Sequence, residues 1–99
     1  MEAIYEFSGA LWEYGGENTW IFITLPAEHA DEIADRVTRR PGFGSVRVHV
    51  RIGSTDWSTS LFPDKSLASY VLPIKRSVRE SEHLSVGDVA VVEIRVVLD

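Results

Sequence analysis

The sequence predicts a mainly β protein: a small barrel of six to seven short strands with one α-helix and one short helical turn. Valine or isoleucine recurs at every second position in 45–52 and again in 89–98, the spacing of a strand with one buried face. Turn signals built from glycine, proline and aspartate separate the apolar segments at short intervals. Because a barrel pairs the edges that such strands would otherwise expose, we expect the sheet to close on itself.

The first quarter of the chain predicts a hairpin. Residues 2–12 form a strand with apolar side chains on both faces, and Ser8 and Gly9 predict a bulge within it. A glycine-rich turn follows at 15–18. Residues 19–25 (T-W-I-F-I-T-L) are β-branched and aromatic, which is typical of a second strand.

One helix is predicted over about 27–39. Pro26 suits its first position, and Pro41 ends it because the residue before a proline avoids the helical region. Acidic residues lie early in this segment and arginines late, which matches the helix dipole. An apolar stripe at helical spacing consists of Ala30, Ile33, Ala34 and Val37.

The rest of the chain alternates strands and turns. A glycine link at 42–44 leads into the strand at 45–52. Further strands are predicted at 57–62, 67–73 and 89–98, with turns at 53–56, 63–65 and 84–88 and a short helical turn over about 75–82.

Composition bounds the kind of protein. Ninety-nine residues predict a single domain over 1–99. The absence of cysteine excludes disulfides, thiolate nucleophiles and thiolate metal ligands within this sequence. No apolar run reaches the roughly 20 residues of a membrane span, and no signal-like start is present, so a cytoplasmic location without membrane contact is expected. The net charge is −5, although residues 41–79 contain two acids and six bases.

Three strings in the second half carry a family resemblance: W-S-T-S-L-F-P-D-K at 57–65, Y-V-L-P-I-K-R-S-V-R at 70–79 and L-S-V-G-D at 84–88. They resemble a small family labelled a domain of unknown function, and the likeness covers nearly the whole chain. The resemblance implies a double-split β-barrel, part of which is similar to transition-state regulators and antitoxins that bind DNA as swapped-hairpin dimers. Family members often have a glycine near residue 68, where this chain has Ala68 and Ser69.

A strand face with three basic side chains is the candidate binding surface. Arg47, His49 and Arg51 lie two residues apart, so they share one side of a strand. Such a face suits a phosphate, a carboxylate or a nucleic-acid backbone, and the alternative is an ordinary solvated strand face. If the later turns fold toward this strand, the candidate ligand-binding set also includes Trp57, Lys65, Tyr70, Lys75 and Arg79.

No catalytic residue, metal site or cofactor is predicted. The hydroxyl run at 58–60 has no nucleophile elbow, and no two histidines have the spacing of metal ligands. The aromatic residues Trp12, Trp20, Trp57 and Tyr70 are interpreted mostly as core, with a groove wall at the mouth of the barrel as the alternative.

These features favour a non-enzymatic binding or interaction module for a small anionic ligand or a protein partner, as a monomer or a homodimer. The ligand hypothesis predicts a pocket lined by Trp57, Tyr70 and a basic residue. The alternative is a nucleic-acid-binding transcriptional regulator acting as a dimer. That alternative depends on fold analogy and is disfavoured by the net negative charge.

Overall fold

The computed structural model describes residues 1–15, 20–37 and 44–98. These residues form a curled antiparallel sheet with two helices. The strands are β1 (Glu2–Ala10), β2 (Trp12–Tyr14), β3 (Trp20–Thr24), β4 (Val46–Ile52), β5 (Thr55–Asp64), β6 (Ser69–Pro73) and β7 (Val89–Val97). The helices are α1 (Ala27–Arg36), between β3 and β4, and α2 (Arg76–Glu82), between β6 and β7. The predicted mainly β, barrel-like fold is confirmed.

The strand order explains the barrel-like form. The order is β1-β7-β4-β5-β6-β3-β2, and all neighbouring pairs are antiparallel. β5 belongs to both halves of the sheet, because residues 55–61 pair with β4 and residues 62–64 pair with β6. β1 and β2 stand at opposite ends of the order, yet only Leu11 separates them in the chain. One continuous stretch therefore joins both ends of the sheet.

The predicted bulge at Ser8 and Gly9 is wrong. Residues of β1 pair one to one with β7 along the whole strand, so no extra residue is inserted there. The break lies at Leu11, whose N–H donates to the Asp88 carbonyl at 2.9 Å and whose carbonyl accepts from the Gly87 N–H at 2.8 Å. Leu11 is also buried, because the chain passes there from one half of the sheet to the other.

Gly9 marks a close approach between strands instead. A β-carbon added at Gly9 would lie 2.4 Å from Cγ2 of Ile23 on β3, far inside ordinary contact distance. A glycine inside a strand often has this role, because it lets another element come near the backbone. The absence of a side chain at Gly9 therefore permits β1 to lie against β3.

The core is a single cluster of buried side chains drawn from alternate strand positions and one face of each helix. In β4 and β7 the residues alternate between buried and exposed or half-buried, as their period of two predicts. Burying each such aliphatic side chain stabilises the fold by about 1.5–3 kcal/mol. The most completely buried are Leu11, Ile23, Ile33, Val50, Leu61, Leu72, Ile74, Val78, Val92, Ile94 and Val96.

Helix α1 agrees with its prediction over most of its length. Ala30 and Ile33 are buried, Val37 packs against the core, and Ala34 of the predicted stripe is exposed. Pro26 occupies the cap position, one residue before the first helical residue. The predicted helix end at 38–41, the link at 42–43 and the turn at 16–18 lie outside the described residues.

The second half shows small shifts of element boundaries. β5 is longer than the predicted strand at 57–62 because it has a partner at each end, β4 at its start and β6 at its finish. β6 begins at Ser69 rather than 67, and α2 begins at Arg76 rather than 75. Neither α1 nor α2 is long and apolar enough to span a bilayer, and no other helix occurs among the described residues.

The turn before β6 contains Ala68, near which the resemblance implies a glycine. Ala68 has φ of 51°, in the left-handed region that favours glycine. An alanine held there costs about 1–2 kcal/mol. The turn therefore keeps a glycine-like conformation without the glycine that the resemblance leads one to expect.

Candidate functional site

The predicted basic strand face is present on β4. Arg47, His49 and Arg51 are exposed, whereas the residues between them are buried. The prediction that the three share one side of the sheet is therefore confirmed. Whether they bind a ligand stays a prediction.

Local hydrogen bonds occupy part of this face. Arg47 Nη1 donates to Ser60 Oγ at 3.3 Å. His49 Nδ1 lies 3.3 Å from Ser58 Oγ, and its Nε2 lies 3.6 Å from Asp56 Oδ1. These contacts hold the two basic side chains against β5, and they leave most guanidinium donors of Arg47 for other acceptors.

Carboxylates lie among the basic groups. Asp56 on β5 and Glu93 on β7 are both direct neighbours of Arg51 across the sheet. On β1, Glu2 and Glu6 are exposed at the alternate positions that face the same side. The outer face is therefore mixed in charge rather than uniformly positive, which weakens its attraction for an extended polyanion.

Trp57 and Tyr70 lie elsewhere. Their side chains are 8% and 5% exposed and belong to the core cluster. Trp57 is paired with Val50, so its ring is on the inner side of the sheet, opposite to the guanidinium groups of β4. Alternation therefore sends the Trp57 ring and the arginines of β4 to opposite faces of the sheet, so these described residues do not line one pocket together.

The remaining predicted residues are distributed over other surfaces. Lys65 lies in the turn after β5 and shares a cleft of about 230 Å³ with Tyr70. Lys75 is exposed at the cap of α2. Arg79 Nε donates to the Ile74 carbonyl at 3.1 Å, and Arg79 lines a separate cleft of about 500 Å³. Neither cleft shares a residue with the one beside Arg47, so the eight predicted residues do not form one site.

A second surface, outside the predicted ligand-binding set, lies on the outer side of β2 and β3. Trp12 is paired with Phe22, and Tyr14 is paired with Trp20. We call these four side chains the aromatic face. Tyr14 is 63% exposed and Trp20 is 61% exposed, which is unusual for rings of this size. For Trp20 the core interpretation is therefore wrong.

The four rings form a chain of contacts in the order Tyr14, Trp12, Phe22 and Trp20. Trp20 and Phe22 are nearly parallel, with ring centroids 6.3 Å apart and an interplanar angle of 9°. Trp12 packs against Phe22 at 5.3 Å and meets Tyr14 edge to face at 6.4 Å. Such contacts between rings add about 0.5–1.5 kcal/mol beyond burial, so the aromatic face is preorganised before any partner arrives.

Trp12 is held by a hydrogen bond as well. Its indole Nε1–H donates to Thr24 Oγ1 on β3 at 2.8 Å. Because this donor is already used, Trp12 offers a partner mainly its carbon surface.

A groove of about 390 Å³ adjoins the aromatic face. Its lining residues come from β2, β3, the last position of β5 and the turn that follows it: Trp12, Tyr14, Thr24, Asp64, Ser66 and Leu67. Leu67 is 47% exposed there. We call this cleft the aromatic groove, and most of its lining surface is apolar.

Among the described residues, Asp64 is the only charged one that lines the aromatic groove. Its Oδ1 accepts hydrogen bonds from the Ser66 hydroxyl at 2.6 Å and from the N–H groups of Ser66 and Leu67 at 3.0 and 3.2 Å. These bonds, chiefly the one from the Ser66 hydroxyl, hold the pKa of Asp64 below its ordinary value. Asp64 therefore stays negatively charged at neutral pH and fixes the turn that forms one wall of the groove.

A sequence signal for the aromatic face exists in retrospect. Aromatic side chains occupy alternate positions at 12 and 14 and again at 20 and 22. Because Ile21 and Ile23, the neighbours of Trp20 and Phe22, are also apolar, the sequence does not reveal which face of that strand meets the core.

The described residues contain no group of three or more histidine, aspartate or glutamate side chains placed to hold a metal ion. A comparison with curated proteins finds no match. A family model described as a domain of unknown function (DUF1905) matches residues 7–94. This range includes β2 to β6, both helices, the second half of β1 from residue 7 onward and most of β7, and it contains all three strings that carry the resemblance. The chain therefore belongs to the DUF1905 family.

Proposed function

We propose that this domain is a non-enzymatic interaction module that binds a protein partner through the aromatic face. The observation that carries the proposal is the exposure of Tyr14 and Trp20 beside an apolar groove. Large exposed aromatic side chains are rare on surfaces without a partner, and tryptophan and tyrosine are the residues most often found at the energetic centres of protein interfaces.

The partner segment that fits best is extended and contains proline. Grooves lined by aromatic rings bind polyproline-type helices, whose proline residues have no N–H to satisfy. Trp12 suits such a ligand because its own N–H is already bonded to Thr24. The groove volume of about 390 Å³ is within the range of roughly 300–1,000 Å³ that is typical of ligand sites.

A basic side chain in the same segment is favoured by charge. The chain has a net charge of −5, which attracts cationic partners over long distances. The carboxylate of Asp64 lies in the groove beside Trp12 and Tyr14. A guanidinium group could stack on either ring while it approaches that carboxylate, a geometry for which arginine is better suited than lysine.

The test uses the indole N–H signals of the three tryptophans in the full chain. The probe is a nine-residue proline peptide that ends in two arginines, and its counterpart ends in two glutamates. We expect the arginine peptide to shift the NMR signals of Trp12 and Trp20 and to leave the buried Trp57 unchanged, with weaker shifts from the glutamate peptide. Trp57 is thus an internal control for general effects on the fold.

Two variants sharpen the test. Trp20→Ala should weaken binding by about ten-fold or more, the loss expected for an aromatic hot spot. Val97→Ala removes a side chain that is 66% exposed on β7, away from the aromatic face, and should leave affinity unchanged. If neither peptide shifts the Trp12 and Trp20 signals, or if both variants weaken binding equally, the proposal is wrong.

The dimeric nucleic-acid-binding alternative stays a prediction of the sequence. No observation on the described residues favours it, since acidic side chains accompany the arginines of β4 on their face of the sheet.

A further inference from the structure

We propose that a second site, separate from the aromatic face, binds a compact oxyanion, namely a phosphate or phosphomonoester group, on the outer side of β4 and β7. The site is a cleft of about 190 Å³. Its lining residues are Glu2, Arg47, Val48, His49, Ser58, Arg95 and Val97, and we call it the anion cleft. This inference does not depend on the proposed function, because the two surfaces have no residue in common.

The strand register explains why positive charge collects at the cleft. Ser58, His49 and Arg95 are direct neighbours across β5, β4 and β7. This row contains two basic side chains and no acid. Arg47 lies two residues before His49 on the same face of β4, so it adds a third basic group at a distance of about 6.6 Å along the strand.

The adjacent row is acidic. Two residues after His49 on β4, Arg51 is paired with Asp56 of β5 on one side and with Glu93 of β7 on the other. Glu6 of β1 is paired with Glu93 and adds another carboxylate. The carboxylates repel anions on this side of the cleft. Glu2, which is paired with Val97, adds one carboxylate to the lining of the cleft itself. The positive potential is therefore confined to a short stretch, which favours a single anionic group over an extended polyanion.

Arg95 supplies a donor that needs an acceptor. Its Nε is buried and makes no hydrogen bond among the described residues, although Oε2 of Glu93 lies 3.5 Å away. A buried guanidinium N–H without an acceptor is costly, and hydrogen bonds between a guanidinium group and an oxyanion are among the strongest in proteins. Because the Glu93 carboxylate lies on the Nε side, an anion in the cleft would bind through the other guanidinium donors of Arg95.

Arg47 and His49 are positioned by their contacts with β5. Arg47 is anchored to Ser60 through Nη1 alone, so its other guanidinium N–H groups are available to a ligand in the cleft. His49 is held against Ser58, so the serine hydroxyl and the imidazole approach the cleft together. One hydrogen bond joins His49 Nδ1 to Ser58 Oγ, and His49 Nε2 faces Asp56, so the imidazole mainly positions the serine. The donors for a ligand are the two guanidinium groups and, when His49 donates to it, the Ser58 hydroxyl, which together suit phosphate oxygens.

The cleft size limits the ligand further. Sites for drug-sized molecules usually measure about 300–1,000 Å³, and this one is smaller. The anionic group alone fits inside, and any remainder of a phosphomonoester would project into solvent.

The experiment is an NMR titration of the full chain at pH 7 with sodium phosphate, with ionic strength held constant by sodium chloride. We expect saturable shifts at Ser58, His49 and Arg95. Arg95→Gln and Arg47→Gln should each weaken binding by about ten-fold, as expected for the loss of one charge-assisted hydrogen bond. The matched control is Arg51→Gln, which removes the same charge from the same face in the acidic row and should leave affinity within two-fold.

Further ligands distinguish the sources of the phosphate group. Equal affinity for glycerol phosphate and inorganic phosphate would support a site for the free ion, and tighter binding of glycerol phosphate would support a phosphomonoester. The proposal is overturned if phosphate shifts the signals no more than chloride does or if Arg51→Gln weakens binding as much as Arg95→Gln. It is also overturned if a ten-residue thymidine oligonucleotide binds more tightly than either phosphate, because that result would indicate a nucleic-acid surface.

Discussion

Replacing Gly9 with alanine tests how closely β1 and β3 approach each other in the curled sheet. Gly9 lies on β1 where that strand passes β3, and the added methyl group would lie 2.4 Å from Cγ2 of Ile23. Contacts closer than 3.0 Å are essentially never found for real β-carbons, and ordinary contact begins at 3.4 Å. The two strands must therefore separate by about 1 Å, or Ile23 must leave its position in the core.

Two opposing effects determine the sign of the change. Overfilling a packed core costs about 1–3 kcal/mol. Replacing glycine by alanine where the backbone is unstrained stabilises a protein by about 0.4–1 kcal/mol, because the unfolded chain loses freedom. Gly9 does not have a left-handed φ, so this second effect applies in full. We expect a net destabilisation of about 1–2 kcal/mol, against a total stability of roughly 5–15 kcal/mol for a domain.

Urea denaturation measures the change. We expect Gly9→Ala to lower the midpoint without altering the slope, because the native surface area is preserved. Ile23→Ala removes the clashing methyl group and by itself costs about 2–5 kcal/mol. In that background Gly9→Ala should cost at least 1 kcal/mol less than in the natural chain, since the two residues contact each other. A neutral or stabilising Gly9→Ala, or an equal cost in both backgrounds, would refute the close-approach argument.

Three other predictions concern single residues. Ala68→Gly should stabilise the fold by about 1 kcal/mol in the same urea assay, because it relieves the left-handed conformation; a loss of stability would contradict the φ of 51°. Trp57→Ala should destabilise by about 3–5 kcal/mol, and a near-neutral result would mean that the ring is not core. The carboxylate form of Asp64 favours the folded turn, because its pKa is lowered chiefly by the Ser66 hydroxyl. This contribution is present above the ordinary aspartate pKa and is lost as the pH falls through the lowered value. Ser66→Ala should move the pKa of Asp64, followed by NMR, back toward the ordinary value; an unchanged pKa would contradict the assigned cause.

Local sequence pattern determined the identity of most elements. The alternation in β4 and β7 predicts one buried and one outer face because side-chain direction in a strand depends only on position parity. For the same reason it placed Arg47, His49 and Arg51 on one side without knowledge of their neighbours. The stripe containing Ala30 and Ile33 likewise predicted α1, since helical periodicity is a local property.

Element ends and strand breaks required the tertiary structure. β5 extends to Asp64 because β6 pairs with its last three residues, and no residue of β5 itself encodes that partner. The break at Leu11 arises where the chain stops pairing with β7 and begins, in β2, to pair with β3. The bulge predicted at Ser8 and Gly9 placed this irregularity two residues too early. Hydrogen bonds to distant segments decide such boundaries.

The composition of the aromatic face and of the anion cleft followed only from the tertiary structure. Both faces of β3 are apolar, so only its pairing with β2 and β6 decided that Trp20 is outside and Ile21 inside. Arg95 joined the β4 face through pairing with His49, 46 positions earlier in the chain. The sequence by itself determined which side chains share a strand face. The tertiary structure decided which faces meet and what net charge they share, because both depend on contacts between residues far apart in the chain.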